Sequence, residues 1–363
     1  MPIKNRFAEL HREITAWRRD IHQHPEILFE THRTSKLVET KLREFGCDEV
    51  ATGIGRTGVV GVIHGRQTDS GKVIGLRADM DALPIQEATG LPYASQVSGA
   101  MHACGHDGHT AMLLGAAKYL AETRNFNGSV AVIFQPAEEG GGGGLEMCQD
   151  GMMTRFHIDE VYGMHNWPGR PAGSFAIRAG TFFAATDQFD ITLRGLGGHA
   201  AKPQKTIDTT VMACHVVLAL QTIASRNADP VEQIVVSVTS FETGSTAFNV
   251  IPQTVRLKGT VRTMNEDLRD LAERRIQEIC KLQCASFGGS AEVAYARGYP
   301  VMSNSEEQTA FAAEVAQAVS GACAAAPLVM GGEDFAYMLE ERPGAYILVG
   351  NGDTPMVHHP EYN

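Results

Sequence analysis

Apolar positions recur at helical spacing from Phe7 to about Phe45, where Leu10, Ile14, Trp17 and Ile21, and then Leu37, Val38 and Leu42, line up as stripes interrupted by His24-Pro25. Two helices joined at a proline-marked bend are expected. GVVGVIHG at 58–65 and KVIGLRADMDALP at 72–84 are short β-branched runs closed by turn residues, each long enough for one strand. The second delivers Asp79 and Asp81 to its C-terminal end. A helix over 108–123, a strand over 129–134, the loop QPAEEGGGGG, a helix over 144–151 and a strand over 160–164 follow. Strands alternating with helices predict an α/β sheet covered on both faces.

Near residue 180 the pattern changes. ATDQFDITLRG alternates like a half-exposed strand, TIDTTVMACHVVLALQTIAS has a helical pattern, and QIVVSVTSFETG and QTVRLKGTVRT are two more strands. A helix over 266–286 and a strand near 291–296 complete the order βαββαβ, that of a ferredoxin-like unit. Beyond Pro300 a helix (305–319) and a strand (345–349) return to the first pattern. The prediction is a discontinuous α/β domain, 1–179 and 297–363, with a ferredoxin-like domain inserted over 180–296.

Composition narrows the function classes. The 31 basic and 42 acidic side chains leave a net charge of −11, the wrong sign for general binding to nucleic acid phosphates. No stretch approaches the length of apolar chain that spans a bilayer, so no membrane role is expected. The charged N-terminal helix lacks the apolar core of a secretory signal, and a cytoplasmic location is the expectation. Seven scattered cysteines do not form a disulfide framework. Cys280 and Cys284 stand one helical turn apart, with no His or Cys nearby to complete a metal site, and are read as core thiols.

Four segments carry candidate chemistry. MHACGHDGHT crowds Cys104, His106 and His109 into a loop feeding a helix, and thiolate and imidazole are both ligands for zinc-like ions. FQPAEEG sets Glu138 beside Glu139 after a strand, which allows one carboxylate to bind a cation while the other takes a proton. VYGMHNWPG ends a strand at His165, and VHHPEYN offers His358 and His359. Each segment alone also fits a bland reading, as a buried thiol, satisfied loop histidines or a solvated acidic loop. Together they supply enough donors for two metal ions sharing one ligand.

RADMDALPIQE, HACGHDGHTAMLLGAA, FQPAEEG, GMHNWPG, GGHAAKP, FNVIP, GGEDFAYM and VHHPEY, in this order, resemble the M20 metallopeptidase superfamily. The resemblance is to its amidohydrolase branch of hippurate hydrolases, N-acyl-amino-acid deacylases and auxin-conjugate hydrolases. It implies two divalent ions (Mn, Zn, Ni or Co) bridged by Cys104, one also held by His106 and His165 and the other by Glu139 and His358. His358 is preferred to His359 because the family ligand stands two residues before the proline. Glu138 is implied as general base, Asp81 as a support for a neighbouring ligand, and Asp79 as lying outside the ligand set.

The same resemblance implies that His199 stabilises the tetrahedral oxyanion, often from the partner subunit, and that Asn249 and Arg297 hold the substrate. Arg297 could equally be a surface charge. The expected substrate is a small N-acyl amino acid, and the expected assembly is a homodimer formed through the inserted domain. The competing readings are a non-catalytic metal-binding relative, a dipeptidase- or carboxypeptidase-like relative, and a thiol hydrolase with Cys104 as nucleophile. Two departures from relatives carry expectations. The chain stops at HHPEYN, which predicts weak order at His358, and the Gly140–Gly144 run predicts added freedom in the loop carrying Glu138 and Glu139.

Overall fold

The strand Val73–Asp79 lies near the middle of an eight-stranded sheet, with Ser129–Gln135 parallel on one side and Glu160–Trp167 parallel on the other. This computed structural model describes residues 3–363. Across the sheet the strands run Glu49–Ile54, Gly58–His64, Ser129–Gln135, Val73–Asp79, Glu160–Trp167, Gly344–Gly350, Phe175–Ile177 and Cys323–Ala325. The four central strands are parallel, and Gly58–His64 and Phe175–Ile177 pair antiparallel beside them. Six of the seven residues of Gly58–His64 and of Ser129–Gln135 are buried. Such continuous burial, without alternation, belongs to sheets covered on both faces.

Helices provide that cover. Ile3–Gln23 and His32–Phe45 form the predicted pair. The second helix stops at Gly46, whose φ of 79° lets its N–H reach the carbonyls of Arg43 and Leu42. Trp17, Val38 and Leu42 pack with Leu113, Leu114 and Ala117 of the helix His106–Thr123 against Val59, Ile63 and Phe134 of the sheet. Glu49–Ile54, Phe175–Ile177 and Cys323–Ala325 were not foreseen from the sequence, being short strands toward the sheet edges with little periodicity to read.

The chain divides into two units. The larger comprises 1–180, 303–327 and 334–363, and the smaller 181–302 and 328–333. Residues 297–302 and 328–333, placed in the discontinuous α/β domain on sequence, belong to the smaller unit. Its sheet runs Ile234–Thr243, Thr254–Thr263, Ala185–Arg194, Ser290–Arg297, every pair antiparallel. This is the ferredoxin-like arrangement, with the helices Thr209–Leu220 and Glu266–Ser286 as the two crossovers.

Ala185–Arg194 alternates as predicted. Phe189, Ile191 and Leu193 are buried with Met212, Val216, Ile276, Cys280 and Cys284. The two cysteines are therefore core thiols. Asp208 caps the first helix by accepting from the N–H groups of Thr210 and Val211, and Asn265 caps the second by accepting from Leu268.

Candidate metal centre

Parallel strands carry their sites at their C-terminal ends, and here Asp79 and Gln135 are register partners at such ends. The next residues of both strands therefore leave the sheet together. Asp81, two residues beyond the first strand, accepts the backbone N–H groups of Glu138 at 3.0 Å and Glu139 at 3.1 Å. It also takes Nδ1–H of His106 at 3.3 Å. One buried carboxylate thus orients the Glu138–Glu139 turn and selects the His106 tautomer whose Nε2 carries the lone pair.

Gly143 and Gly144, at the end of the glycine run after Glu139, are held in place. The Gly143 N–H reaches the Ala137 carbonyl at 3.1 Å and the Gly144 N–H reaches Asp334 Oδ2 at 2.8 Å. A Cβ on Gly143 would lie 1.8 Å from the Pro136 carbonyl oxygen. Close backbone approach is what these two glycines supply, contrary to the expected freedom.

Cys104 precedes the helix His106–Thr123 and is buried. Its Sγ stands 3.3 Å from His165 Nε2. His165 donates Nδ1–H to the Asn166 carbonyl at 2.6 Å, which leaves Nε2 free to coordinate. The predicted donors meet in two groups that share the thiol, Cys104–His106–His165 and Cys104–Glu139–His358, and within each group the ligand atoms lie within 4.8 Å of one another. Glu138 joins His106 and Glu139 in a third such group. His358 Nε2 lies 3.4 Å from Glu139 Oε1. The neighbouring His359 is turned away, its Nδ1 accepting the Glu361 N–H at 3.1 Å.

Weak order at His358 is also not what the structure shows. Its N–H reaches the Ala103 carbonyl at 2.7 Å, and Tyr362 is buried against Met101 and Ala103.

The donors fit a cation. His106 Nε2 and Glu139 Oε1 are buried atoms without a hydrogen-bond partner, an expensive arrangement that a metal ion would satisfy. Electrostatics point the same way. Burial, together with Glu139, Glu138 and Asp79, pushes the Cys104 thiol well up from its usual range. Burial opposes charge on His106, but Asp79, Asp81 and Glu139 outweigh it and push its pKa up to about 10. His165, buried and beside His109, is pushed down to about 3, the neutral form a ligand needs. A site so rich in negative charge attracts a divalent cation, which in turn stabilises a thiolate.

Asp79, His106 and His109 also lie within ligand distance of one another, but two of them are already satisfied. Asp79 accepts from Arg77 Nη1 at 2.7 Å and from His109 Nδ1 at 2.6 Å, and His109 Nε2 accepts from both nitrogens of Asn166 at 3.0 Å. This saturated network belongs to the support of the site. The sequence pointed to His109 by crowding it with Cys104 and His106 in one segment; nothing in it singled out Asn166 or Arg77.

His199 and Asn249 belong to the smaller unit and are exposed there. They are neighbours, since His199 pairs with Val250 in a two-residue ribbon and the Ala200 N–H reaches the Asn249 carbonyl at 3.0 Å. Arg297 ends the strand Ser290–Arg297 with its guanidinium bound to Asp270 at 2.6 Å and Glu273 at 2.7 Å. The surface-charge alternative describes it better than the substrate contact does.

Residues 75–363 match the profile of peptidase family M20/M25/M40. The chain belongs to this family. It is 42% identical over 358 residues to a hippurate hydrolase of Campylobacter jejuni, covering 98% of this chain and 92% of that one. It is 39% identical over 356 residues to an N-acetyl-L-cysteine deacetylase of Bacillus subtilis, covering 98% and 84%. Among solved structures, the YXEP protein of Bacillus subtilis, described as a dinuclear metal binding peptidase of the M20 family, superposes with a TM-score of 0.85 at 34% identity, covering 98% of this chain and 93% of that one.

Proposed function

We propose that this M20-family chain is a metal-dependent amidohydrolase that cleaves the amide of small N-acyl amino acids to a carboxylic acid and a free amino acid. The observation that carries the reading is the pair of donor groups sharing Cys104, with Glu138 beside them. His106 and His165 would hold one divalent ion with Cys104, and Glu139 and His358 would hold the other. When bound, such ions lower the pKa of water and polarise a carbonyl.

Glu138, its backbone clamped by Asp81, takes a proton from the attacking water and delivers it to the departing amine nitrogen, so that the amide and one water become acid and amine. Asp81 keeps Glu138, Glu139 and His106 in register for that transfer. His199 is assigned to the oxyanion and Asn249 to the substrate carboxylate, a reading supported by their motifs and by their adjacency in the smaller unit. Arg297, already bound to two carboxylates, is left out.

A homodimer is the proposed assembly. Helix Thr209–Leu220 exposes Val211 and Leu218, and the edge strand Ile234–Thr243 exposes Val235 and Phe241. An apolar surface beside an open sheet edge supports pairing with a second copy. Leu218→Asp is expected to shift the mass in solution toward the monomer. Among the described residues no helix is long and apolar enough to cross a membrane. A cytoplasmic location is proposed with it, in keeping with seven cysteines that are all free.

The test is turnover of benzoyl-glycine and a set of N-acetyl amino acids by metal-stripped protein given Mn, Zn, Ni or Co singly. Metal-restored release of amino acid is expected, with Glu138→Gln lowering kcat about 10²- to 10⁴-fold at unchanged metal content. Silence across the panel from folded protein carrying two ions refutes the reading. Turnover that survives a chelator and dies on thiol alkylation transfers it to a Cys104 nucleophile.

A further inference from the structure

The buried side chain of Asn166 reaches beyond His109 to two other segments of the site. Its amide nitrogen donates to the Cys104 carbonyl at 2.6 Å, and its Oδ1 accepts the Tyr362 hydroxyl at 2.5 Å. Its own carbonyl takes the His165 Nδ1–H, and its N–H reaches His109, which leans on Asp79. Three segments bearing proposed ligands, around Cys104, at His165 and at His358, therefore converge on one buried amide.

The convergence is built tightly. Gly105, with φ of 90°, lies so close that a Cβ there would stand 2.3 Å from Asn166 Nδ2 and 2.5 Å from the Tyr362 hydroxyl. Tyr362 is 2% exposed although it stands one residue from the last residue of the sequence. His358, four residues earlier, has a left-handed backbone with φ of 69°, a conformation costly for a residue with a side chain. Surrounding contacts must hold it there: the His358 N–H on the Ala103 carbonyl, the Ala88 N–H on the Pro360 carbonyl, Tyr362 packed on Met101 and Ala103, and the Tyr362 hydroxyl on Asn166, which in turn holds the Cys104 carbonyl.

We propose that Asn166 and Tyr362 are a positioning pair that couples the placement of His358 to that of Cys104, and so sets the affinity of the ion held by Cys104, Glu139 and His358. The inference rests on the two-ion reading above. Neither residue touches the reacting atoms; both act through ligands, as outer partners of metal ligands do.

Cobalt titration of metal-stripped, full-length protein, followed through the thiolate charge-transfer and d–d bands, gives two stepwise affinities, and the step lost in His358→Ala is that of the ion held by Cys104, Glu139 and His358. Tyr362→Phe removes one oxygen and keeps the buried ring. It is expected to weaken the ion held by Cys104, Glu139 and His358 by about tenfold to a hundredfold and leave the other within a factor of about three. Saturating cobalt should then restore kcat with KM unchanged, a rescue that a general loss of packing does not give.

Asn166→Ala approaches the bond from the other end, is expected to weaken the same ion at least as much, and should leave Tyr362→Phe without further effect in its background. If only one variant folds, its own titration decides. Wild-type affinity for both ions in a folded variant overturns the proposal, as does an undiminished Tyr362→Phe effect in the Asn166→Ala background. Wild-type protein that takes up fewer than two ions overturns the two-ion reading instead, so the two failures are distinguishable.

Discussion

Asp81→Asn is nearly isosteric, and its consequences follow from three contacts. Oδ1 accepts from Glu138 N–H and His106 Nδ1–H, while Oδ2 accepts from Glu139 N–H. An asparagine keeps one acceptor. If its oxygen stays at the Oδ1 position, its NH₂ faces the Glu139 N–H, donor against donor.

A lost hydrogen bond to a charged acceptor costs about 1.5–3 kcal/mol, and a buried donor left without a partner costs about 1–3 kcal/mol more. Against this stands the cost of the charge itself: burial raises the Asp81 pKa, with Glu139 adding to it, against the opposing pull of His106. Neutral asparagine escapes that cost, so the net loss of stability is expected at the low end, about 1–3 kcal/mol.

Function should suffer more than stability. The Glu138–Glu139 turn loses one of its two clamps and the His106 tautomer its charged partner. Metal affinity is expected to fall about tenfold to a hundredfold. Turnover at saturating metal should fall by about 10², the loss that displacement of a catalytic group by about 1 Å produces. The assays are urea denaturation, cobalt titration and steady-state hydrolysis of the best substrate from the panel. A variant with wild-type kcat and wild-type affinity for both ions would falsify the role assigned to Asp81.

Arg297→Ala should leave KM within about twofold and stability within about 1 kcal/mol, since its ion pairs are at the surface; a tenfold rise in KM would restore the substrate role. Gly105→Ala places a methyl on Asn166 and Tyr362 at a φ of 90°, and is expected to abolish tight binding of at least one ion, measured as metal content after gel filtration; full loading would contradict the packing described. His22 lies between Asp107 at 2.8 Å and Glu87 at 3.4 Å, and although burial lowers its pKa and Arg18 opposes its charge, Asp107 and Glu87 leave it raised. A raised pKa in the folded state stabilises fully below the unfolded value of about 6.5 and loses that contribution as pH climbs through the folded value. The stability gap between wild type and His22→Gln, read by urea denaturation from pH 6 to 9, should therefore narrow as pH rises; a gap that is flat or widens would rule out this charge linkage.

Whatever depends on neighbours along the chain was legible before folding. Alternation in Ala185–Arg194 and the stripes of the first two helices marked their buried faces, because side-chain periodicity is a local property. Ligand chemistry was equally legible, since thiolate, imidazole and carboxylate are read directly as residue types. Partnership was not. Gly344–Gly350 lies beside Glu160–Trp167 although about 180 residues separate them, and no periodicity reports that pairing.

The tertiary structure likewise decided which of His358 and His359 faces Glu139, that Asp79 and His109 are already satisfied, and that Arg297 is held by Asp270 and Glu273. It also packed Gly143 and Gly144, part of a run expected to be loose, closely against Pro136 and Asp334, and fastened through Tyr362 a tail expected to be weakly ordered. In each case the outcome hangs on distances of a few ångströms between atoms far apart in sequence. Hydrogen bonding and metal coordination are decided at that range, which is why only the folded chain could assign them.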